Sequence, residues 1–461
     1  MAKKIIQVNE RPPLRQAIPL SIQHMFAMFG ASVLVPSLFG INPAIVLLMN
    51  GLGTLFFIWI TKGKAPAYLG SSFAFIAPAL IIIQKYEEQG MDHMEAFSYA
   101  QGGFVVVGLL GCVLAFIIYK FGSRWIDIVL PPAAMGPVVA LIGLELAGNA
   151  ASTAGLLTTT EYTPVEGTAD QFIQTITNVD MRNVIVFLVT IGVAVLGSIL
   201  FRKFLAVIPI LIAIICGYIA ACCVGLVDFQ AVNEAGIFSM PNFQIAKFNL
   251  DAVITMIPVL LVIASEHIGH QIVTSKIVGK DLLKDPGLHR SLLGDNISTA
   301  VSGLVGAVPT TTYGENIGVM AMTKVYSVWV IGGAAVLSIL CSFIGKFSAL
   351  IATLPGAVIG GISFLLYGMI GASGLRILVD SKVDFGKNRN ITLTSVIFVV
   401  GLSGVSVTLG DVQLKGMVLA CVVGMLLGIL FYIFDRLHWT NDREDAEPEQ
   451  EENAVPAEKQ I

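Results

Sequence analysis

Three ionisable side chains lie inside stretches of this sequence that are otherwise apolar. Glu266 and His270 fall in segment 260–272, and Glu315 follows the polar run 310–314. A carboxyl group in hydrocarbon costs roughly 2.5 kcal/mol or more even on lenient insertion scales, so such a residue is retained where it faces a cavity and performs a task. The pattern indicates a site near the middle of a membrane that binds and releases protons, as a transporter requires.

The spacing of Glu266 and His270 is that of neighbours on one helix face. We predict a hydrogen bond between them that tunes the titration of the pair. A structural pair linking two helices is the alternative, but depth in the membrane favours a functional role. The order Glu266-His267-x-x-His270 differs from the His-Glu-x-x-His pattern of zinc proteases and has no evident third ligand. We therefore predict no metal and interpret His267 as a packing or surface residue.

Two short polar runs, 70–72 and 310–312, precede short apolar segments. The second run is β-prone, and irregular backbone at membrane depth is tolerated where it lines a cavity or pairs inside the protein. The helix that follows would direct free N–H groups, near Tyr313 and Gly314, into the site. Ser72 and Phe73 would present another pair of backbone amides. Extended segments that cross from the two halves would then satisfy each other's backbone groups.

The predicted site combines two carboxylate acceptors with several backbone donors. This set suits a neutral planar ligand with alternating N–H and C=O groups, such as a pyrimidinedione or a purine. It suits a simple anion poorly, because Glu266 and Glu315 would repel it. Phe73 and Tyr367 are candidates for aromatic contact with the ring, with packing as the equal alternative. Gln23 and His24, in the first apolar segment, could line the site or brace it, and we favour bracing through a hydrogen bond to Tyr367.

The composition is that of a polytopic membrane protein. Of the 461 residues, 55% are hydrophobic and 13% are charged, and the mean hydropathy is +0.82. A soluble domain carries about 25% charged residues. The six cysteines lie in apolar segments without metal-binding or disulfide spacing, so we interpret them as reduced packing residues. Neither a cofactor nor a nucleic-acid partner is expected.

About 14 apolar segments are long enough to cross, or half-cross, a hydrocarbon core of about 30 Å. If the N-terminus is cytoplasmic, their alternation places 22 of the 27 Lys and Arg residues inside and 5 outside, in line with the positive-inside rule. We predict a multi-pass protein of the cytoplasmic membrane with both termini in the cytoplasm and an acidic, disordered tail at 438–461. The segments are 16–38, 43–61, 70–84, 98–119, 125–147, 183–201, 204–227, 251–272, 291–307, 313–324, 327–347, 350–372, 390–408 and 413–435.

The two halves of the sequence show a faint internal repeat. The run 70–73 before the third segment resembles 310–314 before the tenth, and 131–136 opening the fifth resembles 355–360 opening the twelfth. Each pair is seven segments apart, an odd number, so the halves would be inverted in the membrane. Paired short segments in inverted repeats point to the binding site of a transporter.

Several motifs resemble the nucleobase–ascorbate transporter family, also called nucleobase:cation symporter-2. The run Glu315-Asn316-x-Gly318, followed by four residues and then Thr323-Lys324, matches the family signature. The sequence looks closest to the uracil:proton symporter branch, and the similarity runs from about residue 10 to residue 437. Further matching segments are 11–13, 23–30 with Gln23-His24, 66–75, 265–270 and 312–316.

The resemblance implies an all-α polytopic membrane protein. It would have 14 transmembrane segments arranged as a 7+7 inverted repeat, with short antiparallel β-strands in segments 3 and 10. A core domain would comprise residues 1–122 and 251–347, and a gate domain residues 123–250 and 348–437. Family members often dimerise through the gate domain, so a homodimer within the lipid bilayer is expected.

The resemblance also implies roles for individual residues. Glu266 and Glu315 would accept hydrogen bonds from the ring N–H groups of the substrate. The backbone amides of Phe73 and Gly314, flanked by Ser72 and Tyr313, would donate to its carbonyl oxygens. The list of expected substrate-binding residues is completed by Tyr367.

Proton coupling is expected to run through Glu266 and His270, with His24 and Tyr367 alongside. Xanthine and urate carriers of the family typically have glutamine at the position of Glu315, so the acid favours a uracil-type substrate. The expected function is therefore uracil import by proton symport, in which the proton gradient supplies the energy and no enzymatic reaction takes place.

Other functions are kept as alternatives. The first is a proton-coupled purine carrier of the xanthine type, from the same family. An anion exchanger is disfavoured by the two carboxylates. An intramembrane hydrolase could use Glu266 and His270 for acid–base chemistry, but the sequence offers no evident nucleophile or metal set. A receptor that senses the base without transporting it is the remaining alternative.

Overall fold

The structure is a computed structural model that describes residues 5–164, 172–202, 204–410 and 412–440. Most of these residues are helical. The predicted acidic tail falls largely on 441–461, outside the described residues. The helices are α1 (Leu14–Ala27), α2 (Phe29–Leu38), α3 (Pro43–Ile60), α4 (Ile76–Glu88), α5 (His93–Phe121), α6 (Ile126–Val129), α7 (Pro132–Glu145), α8 (Ala147–Thr153), α9 (Met181–Leu200), α10 (Pro209–Cys223), α11 (Gln230–Glu234), α12 (Leu250–Met256), α13 (Val259–Val278), α14 (Leu288–Leu304), α15 (Gly314–Thr323), α16 (Val328–Ser342), α17 (Gly345–Ala352), α18 (Gly356–Asp380), α19 (Asn388–Leu402) and α20 (Gly416–Arg436).

The strands form three two-stranded antiparallel sheets within the described part of the chain. They are β1 (Leu69–Ser71), β2 (Thr159–Pro164), β3 (Phe172–Thr177), β4 (Thr310–Thr312), β5 (Ser406–Leu409) and β6 (Val412–Lys415). The pairs are β1 with β4, β2 with β3, and β5 with β6. Strands β2–β3 and β5–β6 are hairpins between sequence neighbours. Strands β1 and β4 are about half the chain apart, so their pairing joins the two halves.

Eight helical stretches of the described residues are long and apolar enough to cross a membrane. Two shorter apolar helices, α10 and α16, accompany them. Because a chain with several such helices can bury their apolar surface only in lipid or against one another, this is a multi-pass membrane protein. The eight are Leu14–Leu38, Pro43–Ile60, His93–Phe121, Pro132–Thr153, Met181–Leu200, Leu250–Val278, Gly356–Asp380 and Gly416–Arg436.

Small residues allow the long helices to approach closely in both parts of the molecule. A Cβ atom on Gly108 of α5 would lie 2.7 Å from the backbone nitrogen of Ala300 in α14. A Cβ atom on Gly374 of α18 would come into contact with the backbone nitrogen of Ala140 in α7. In a membrane, helices associate through such close packing because the lipid tails remove the usual hydrophobic drive.

A proline separates α12 from α13, the helix that carries Glu266 and His270. Pro258 stands at the break between α12 and α13, where it occupies the N-cap of α13. A proline inside a helix lacks the N–H donor and its ring collides with the preceding turn, so a helix generally breaks or kinks there. Helix α13 therefore begins at a break within the apolar stretch Leu250–Val278.

Candidate functional site

The centre of the molecule is a pair of short crossed strands. Residues Leu69, Gly70 and Ser71 of β1 pair with Thr312, Thr311 and Thr310 of β4. The ladder is extended at both ends, where the N–H of Ser72 donates to the carbonyl of Pro309 at 2.8 Å and the N–H of Tyr313 donates to the carbonyl of Tyr68 at 3.2 Å. Extended backbone at this depth needs internal partners, and each strand provides them for the other.

Tyr313 locks the two strands together. Its ring lies directly over Gly70, in the space that a Cβ atom at residue 70 would occupy. Its hydroxyl donates to the carbonyl of Ser71 at 2.8 Å. The side chain is buried, so the structure uses Tyr313 to brace β1 against β4.

Helix α15 begins at Gly314, directly after β4, and carries Glu315 in its first turn. The first backbone N–H groups of a helix have no acceptor within that helix, so they are available to a ligand. Gly314 is exposed, and a Cβ atom there would lie 3.3 Å from Nε2 of His270. The start of α15 and the middle of α13 therefore face the same space.

Helix α13 presents Glu266 to this space. Glu266 is partly exposed, and the carboxyl groups of Asp295 and Glu315 are close enough to interact with it electrostatically. The carboxyl groups of Glu266 and Glu315 thus lie near one another, and Asp295 acts on Glu266 from the buried side of β4. Because like charges repel at short range in a medium of low dielectric constant, the region is sensitive to how many protons it holds.

The predicted hydrogen bond between Glu266 and His270 is wrong. Within the described part of the chain, Nδ1 of His270 shares a hydrogen bond of 3.2 Å with the hydroxyl of Thr312. His270 is therefore tied to strand β4, and Glu266 is left on the open side of its helix. Spacing along a helix brought the two residues to one face, but the strand supplied a partner that the spacing does not reveal.

Two aromatic rings from distant parts of the chain meet beside the strands. Phe73 follows β1, and Tyr367 lies in the middle of α18; their ring centroids are 6.5 Å apart and their planes are at 85°. This is the edge-to-face arrangement that aromatic rings prefer. The hydroxyl of Tyr367 is buried without a hydrogen-bond partner among the described residues. The hydroxyl of Ser72 is likewise buried without a hydrogen-bond partner among the described residues.

The predicted hydrogen bond between His24 and Tyr367 is also wrong. His24 is fully buried, and its Nδ1 shares a hydrogen bond of 2.6 Å with Oδ1 of Asn316 in α15. The amide nitrogen of Asn316 is 3.0 Å from the sulfur of Met28, at the break between α1 and α2. His24 therefore braces the helix that carries Glu315.

A buried polar network that the sequence reasoning missed supports β4 from behind. His267 is fully buried; its Nδ1 lies 3.0 Å from Oδ2 of Asp295 and its Nε2 lies 2.9 Å from the hydroxyl of Ser291. The hydroxyl of Thr311 donates to the same Asp295 oxygen at 3.3 Å. The interpretation of His267 as a packing or surface residue was therefore incomplete, because the ring and Asp295 together connect α13, α14 and strand β4.

Asp295 itself could have been found from the sequence. It lies inside the predicted apolar segment 291–307, as Glu266 and Glu315 lie inside theirs. The criterion that selected the two glutamates applies equally to this aspartate. Its second oxygen, Oδ1, is buried without a hydrogen-bond partner in the described part of the chain.

Within the described ranges, no group of three or more His, Cys, Asp and Glu side chains is arranged to hold a metal ion. The arrangement instead offers hydrogen-bond acceptors on α13 and α15, backbone donors at the start of α15 and after β1, and an aromatic pair at one side. Such a site can recognise a small planar molecule through its N–H and C=O edges.

Comparison with known proteins places the chain in a family. Residues 15–410 match the model described as the permease family. A uracil permease of Paenibacillus larvae subsp. larvae is 51% identical over 442 residues, which cover 96% of this chain and 100% of the relative. The uracil permease of Escherichia coli K12 is 50% identical over 450 residues, covering 97% and 99%. That of Bacillus subtilis strain 168 is 43% identical over 440 residues, covering 93% and 96%.

Solved structures with low sequence identity share the fold. The transmembrane domain of the cyanobacterial bicarbonate transporter BicA is 14% identical, with a TM-score of 0.58 over 93% of this chain and 98% of that chain. The murine solute carrier 26 family member A9, an anion transporter, is 11% identical, with a TM-score of 0.65 over 93% of this chain and 69% of that chain. The family match and the relatives together show that this chain is a transporter rather than an enzyme, and that it belongs to the nucleobase:cation symporter-2 family of permeases.

Proposed function

We propose that this protein imports uracil across the cytoplasmic membrane together with protons. The observation that carries the proposal is the convergence of Glu266, Glu315 and the start of α15. Relatives of 43–51% identity over nearly the whole chain are uracil permeases, which supports the same substrate here. The proton gradient serves as the energy source, and no cofactor is involved.

Uracil has two ring N–H donors and two carbonyl acceptors, which alternate around one edge. The carboxyl groups of Glu266 and Glu315 accept from the two N–H groups. The backbone amides of Phe73 and Gly314 donate to the carbonyl oxygens. Supporting this arrangement, both amides lie at the first turn of a helical segment, where they have no intrahelical acceptor.

The ring of the substrate packs between the aromatic pair and the carboxylates. Phe73 and Tyr367 contact each other edge to face, and a planar base that enters beside them gains a similar contact. Ser72 and Tyr313 contribute through the backbone of the crossed strands. The unpartnered hydroxyl of Tyr367 is available to a polar group of the substrate or to water.

Proton coupling follows from the crowding of carboxyl groups. A proton on Glu266 removes one charge from a region that Glu315 also faces, and it leaves a neutral acid beside a neutral substrate. His270 and His24 hold strand β4 and helix α15 in place through Thr312 and Asn316. Loss of the proton to the cytoplasm restores the repulsion and promotes release of uracil.

We further propose the finer architecture of the protein. Fourteen segments form a 7+7 inverted repeat, with a core domain of residues 1–122 and 251–347 and a gate domain of 123–250 and 348–437. The pairing of β1 with β4 at matching places in the two halves supports the repeat. Both termini are cytoplasmic, in line with the distribution of Lys and Arg, and two copies associate through the gate domain. Movement of the core against the gate carries the site across the membrane.

Uptake of labelled uracil into proteoliposomes that hold the purified protein tests the function. We expect accumulation under an inward proton gradient and its loss when a protonophore collapses the gradient. Unlabelled uracil should abolish uptake and unlabelled xanthine should not. Uptake of labelled xanthine without uptake of labelled uracil would identify the purine carrier instead, and binding of uracil without uptake would identify a sensor.

The substitution Glu266→Gln tests the role of the carboxyl group. Gln keeps the shape but cannot exchange a proton, so we expect gradient-driven uptake to be lost while the protein remains monodisperse and folded. The exposed Glu88→Gln serves as the matched control and should transport normally. Full protonophore-sensitive uptake by Glu266→Gln would contradict the proposed coupling.

A further inference from the structure

A second cavity lies on another side of α13 from the site just described. Its volume is about 530 Å³. Ser265, Ile268 and Ile272 line it, and these residues follow one another at helical spacing, along a different stripe of α13 from Glu266 and His270. The end of α5, helix α6 and the start of α7 form the opposite wall. The cavity therefore opens between two groups of helices, apart from the substrate site.

The inner wall of this cavity is apolar and its mouth is polar. The apolar part comprises Ile118, Ile126, Ile268, Ile272 and Leu288. Ile118, Ile126 and Leu288 belong to a separate hydrophobic cluster of the molecule, and Ile268 and Trp125 pack against it. The hydroxyl of Ser265 is the exception, since it is buried in the wall without a hydrogen-bond partner in the described residues. An occupant with an apolar part and an internal oxygen acceptor would cover the apolar wall and accept a hydrogen bond from the hydroxyl of Ser265.

Lys284 and Asp127 line the mouth with opposite charges. His289 also lines it, but burial lowers the pKa of its ring, so His289 adds no cation at neutral pH. The ring of His289 packs on that of Tyr119, with centroids 4.6 Å apart. The ammonium group of Lys120 lies 6.0 Å from the centroid of the Tyr119 ring.

The surroundings of the mouth add more cations than anions. Arg124 follows the lining residue Ser123, and Arg290 acts electrostatically on His289. A second, open groove shares Ile272 and Leu283 with the cavity, and Lys276 and Lys280 line that groove. Of the nearby acids, Asp281 accepts hydrogen bonds from the backbone of residues 283 and 284, and Asp285 pairs with Lys64 at 2.7 Å.

We propose that this cleft binds an anionic phospholipid, with the phosphate held at the Lys284 end of the mouth and an acyl chain on the wall of isoleucines. Basic pockets between transmembrane helices are suited to anionic headgroups, because each nearby Lys or Arg contributes about 1 kcal/mol of attraction. Asp127 opposes the headgroup and limits its affinity. The bound lipid separates α13 from α6 and α7, so it sets the packing of the helix that carries Glu266.

Brominated lipids provide a direct test, because bromine quenches a tryptophan that it contacts. A variant with Trp125 as its sole tryptophan (Trp59, Trp329 and Trp439 replaced by Phe) would be placed in mixed vesicles. We expect half-maximal quenching at a roughly fivefold lower mole fraction of brominated phosphatidylglycerol than of brominated phosphatidylcholine. Equal quenching by the two lipids would overturn the proposal.

Charge substitutions in the same background locate the headgroup. Lys284→Glu should abolish the preference for phosphatidylglycerol, whereas Lys387→Glu, at an exposed lysine before α19, should retain it. Asp127→Asn should strengthen the preference, and this second variant removes a charge rather than reversing one. Loss of preference in both lysine variants would indicate a general surface-charge effect, and a weaker preference in Asp127→Asn would indicate a zwitterionic lipid; either result would refute the assignment.

Discussion

Two strand–helix units, one from each half of the chain, meet at the centre of the molecule and differ in chemistry. The first comprises β1 and α4, joined by a short 3₁₀ turn at Phe73–Phe75. The second comprises β4 and α15. The two strands pair residue for residue, so the backbones are equivalent. The first unit carries an aromatic ring at the site, and the second carries a carboxyl group.

The two units also differ in how they are held. The first is anchored near its strand by Thr54, whose hydroxyl accepts from the N–H of Leu69 at 2.8 Å. Each threonine of β4 instead bonds to a polar side chain: Thr310 to Ser298, Thr311 to Asp295, and Thr312 to His270. The two units thus share a backbone geometry but contribute different groups. The unit of β1 and α4 supplies shape and apolar contact, and the unit of β4 and α15 supplies charge.

Gly70→Ala should have the largest effect, because it separates the two units. An added Cβ atom would overlap the ring of Tyr313, which cannot move without breaking its hydrogen bond to Ser71. Overpacking in a core costs roughly 1–3 kcal/mol or more. We expect a lower Tm together with loss of uracil uptake.

Gly192→Ala is the matched control for that variant. Gly192 lies in helix α9, and a Cβ atom there would meet no heavy atom within 4 Å. Its Tm and uptake should equal those of the parent. An unchanged Tm in Gly70→Ala would show that β1 and β4 do not depend on this contact.

Asp295→Asn should have the second largest effect, because it weakens the buried hydrogen bonds that support strand β4. The amide keeps the shape but loses the charge that faces His267 and Thr311. A hydrogen bond to a charged group contributes roughly 1.5–3 kcal/mol, so we expect uptake at low uracil concentration to fall about 10- to 100-fold. The measurement is initial uptake rate against uracil concentration.

Asp384→Asn serves as the control for the aspartate variant, because Asp384 is exposed and bonds only its local turn among the described contacts. If Asp295→Asn transported as well as this control, the network around β4 would be structural alone.

Phe73→Leu should have the smallest effect, because it alters only the apolar unit. Leucine preserves most of the apolar surface but removes the edge-to-face contact with Tyr367. Aromatic pairs contribute roughly 0.5–1.5 kcal/mol beyond burial, so KM for uracil should rise a few-fold with little change in kcat.

The neighbouring Phe75→Leu separates binding from packing. Phe75 is fully buried against Phe104, with ring centroids 5.5 Å apart, so its substitution should lower the Tm and leave KM near that of the parent. A larger loss of uptake in Phe73→Leu than in Asp295→Asn would contradict the proposal that the charged unit matters more for transport than the apolar unit.

Much of the outline of this protein follows from local patterns. Apolar segments of sufficient length predict membrane crossing, because the hydrocarbon core has a set thickness. Glu266 and Glu315 are recognisable as candidate site residues because ionisable groups are rare at that depth. The motif at residues 315–324, together with those at 23–30, 66–75 and 265–270, is specific enough to indicate the family, and the comparisons confirm that assignment.

Hydrogen-bond partners were less accessible to sequence reasoning. His270 was expected to bond Glu266, and it bonds Thr312. His24 was expected to bond Tyr367, and it bonds Asn316. In both cases the residue type indicated a buried polar group, whereas the partner depended on how two helices are rotated about their axes.

The amino-acid sequence alone was enough to find polar residues within apolar segments, the multi-pass character of the chain and its family, whereas the 14 segments predicted from it exceed the eight spans found among the described residues. These properties depend on composition and on spacing over a few residues. Only the tertiary structure decided that Tyr313 lies over Gly70, that His267 joins Asp295 and Ser291, and that Phe73 meets Tyr367. Such contacts join residues up to about 300 positions apart, and close packing admits one rotation of each helix where the local pattern admits several.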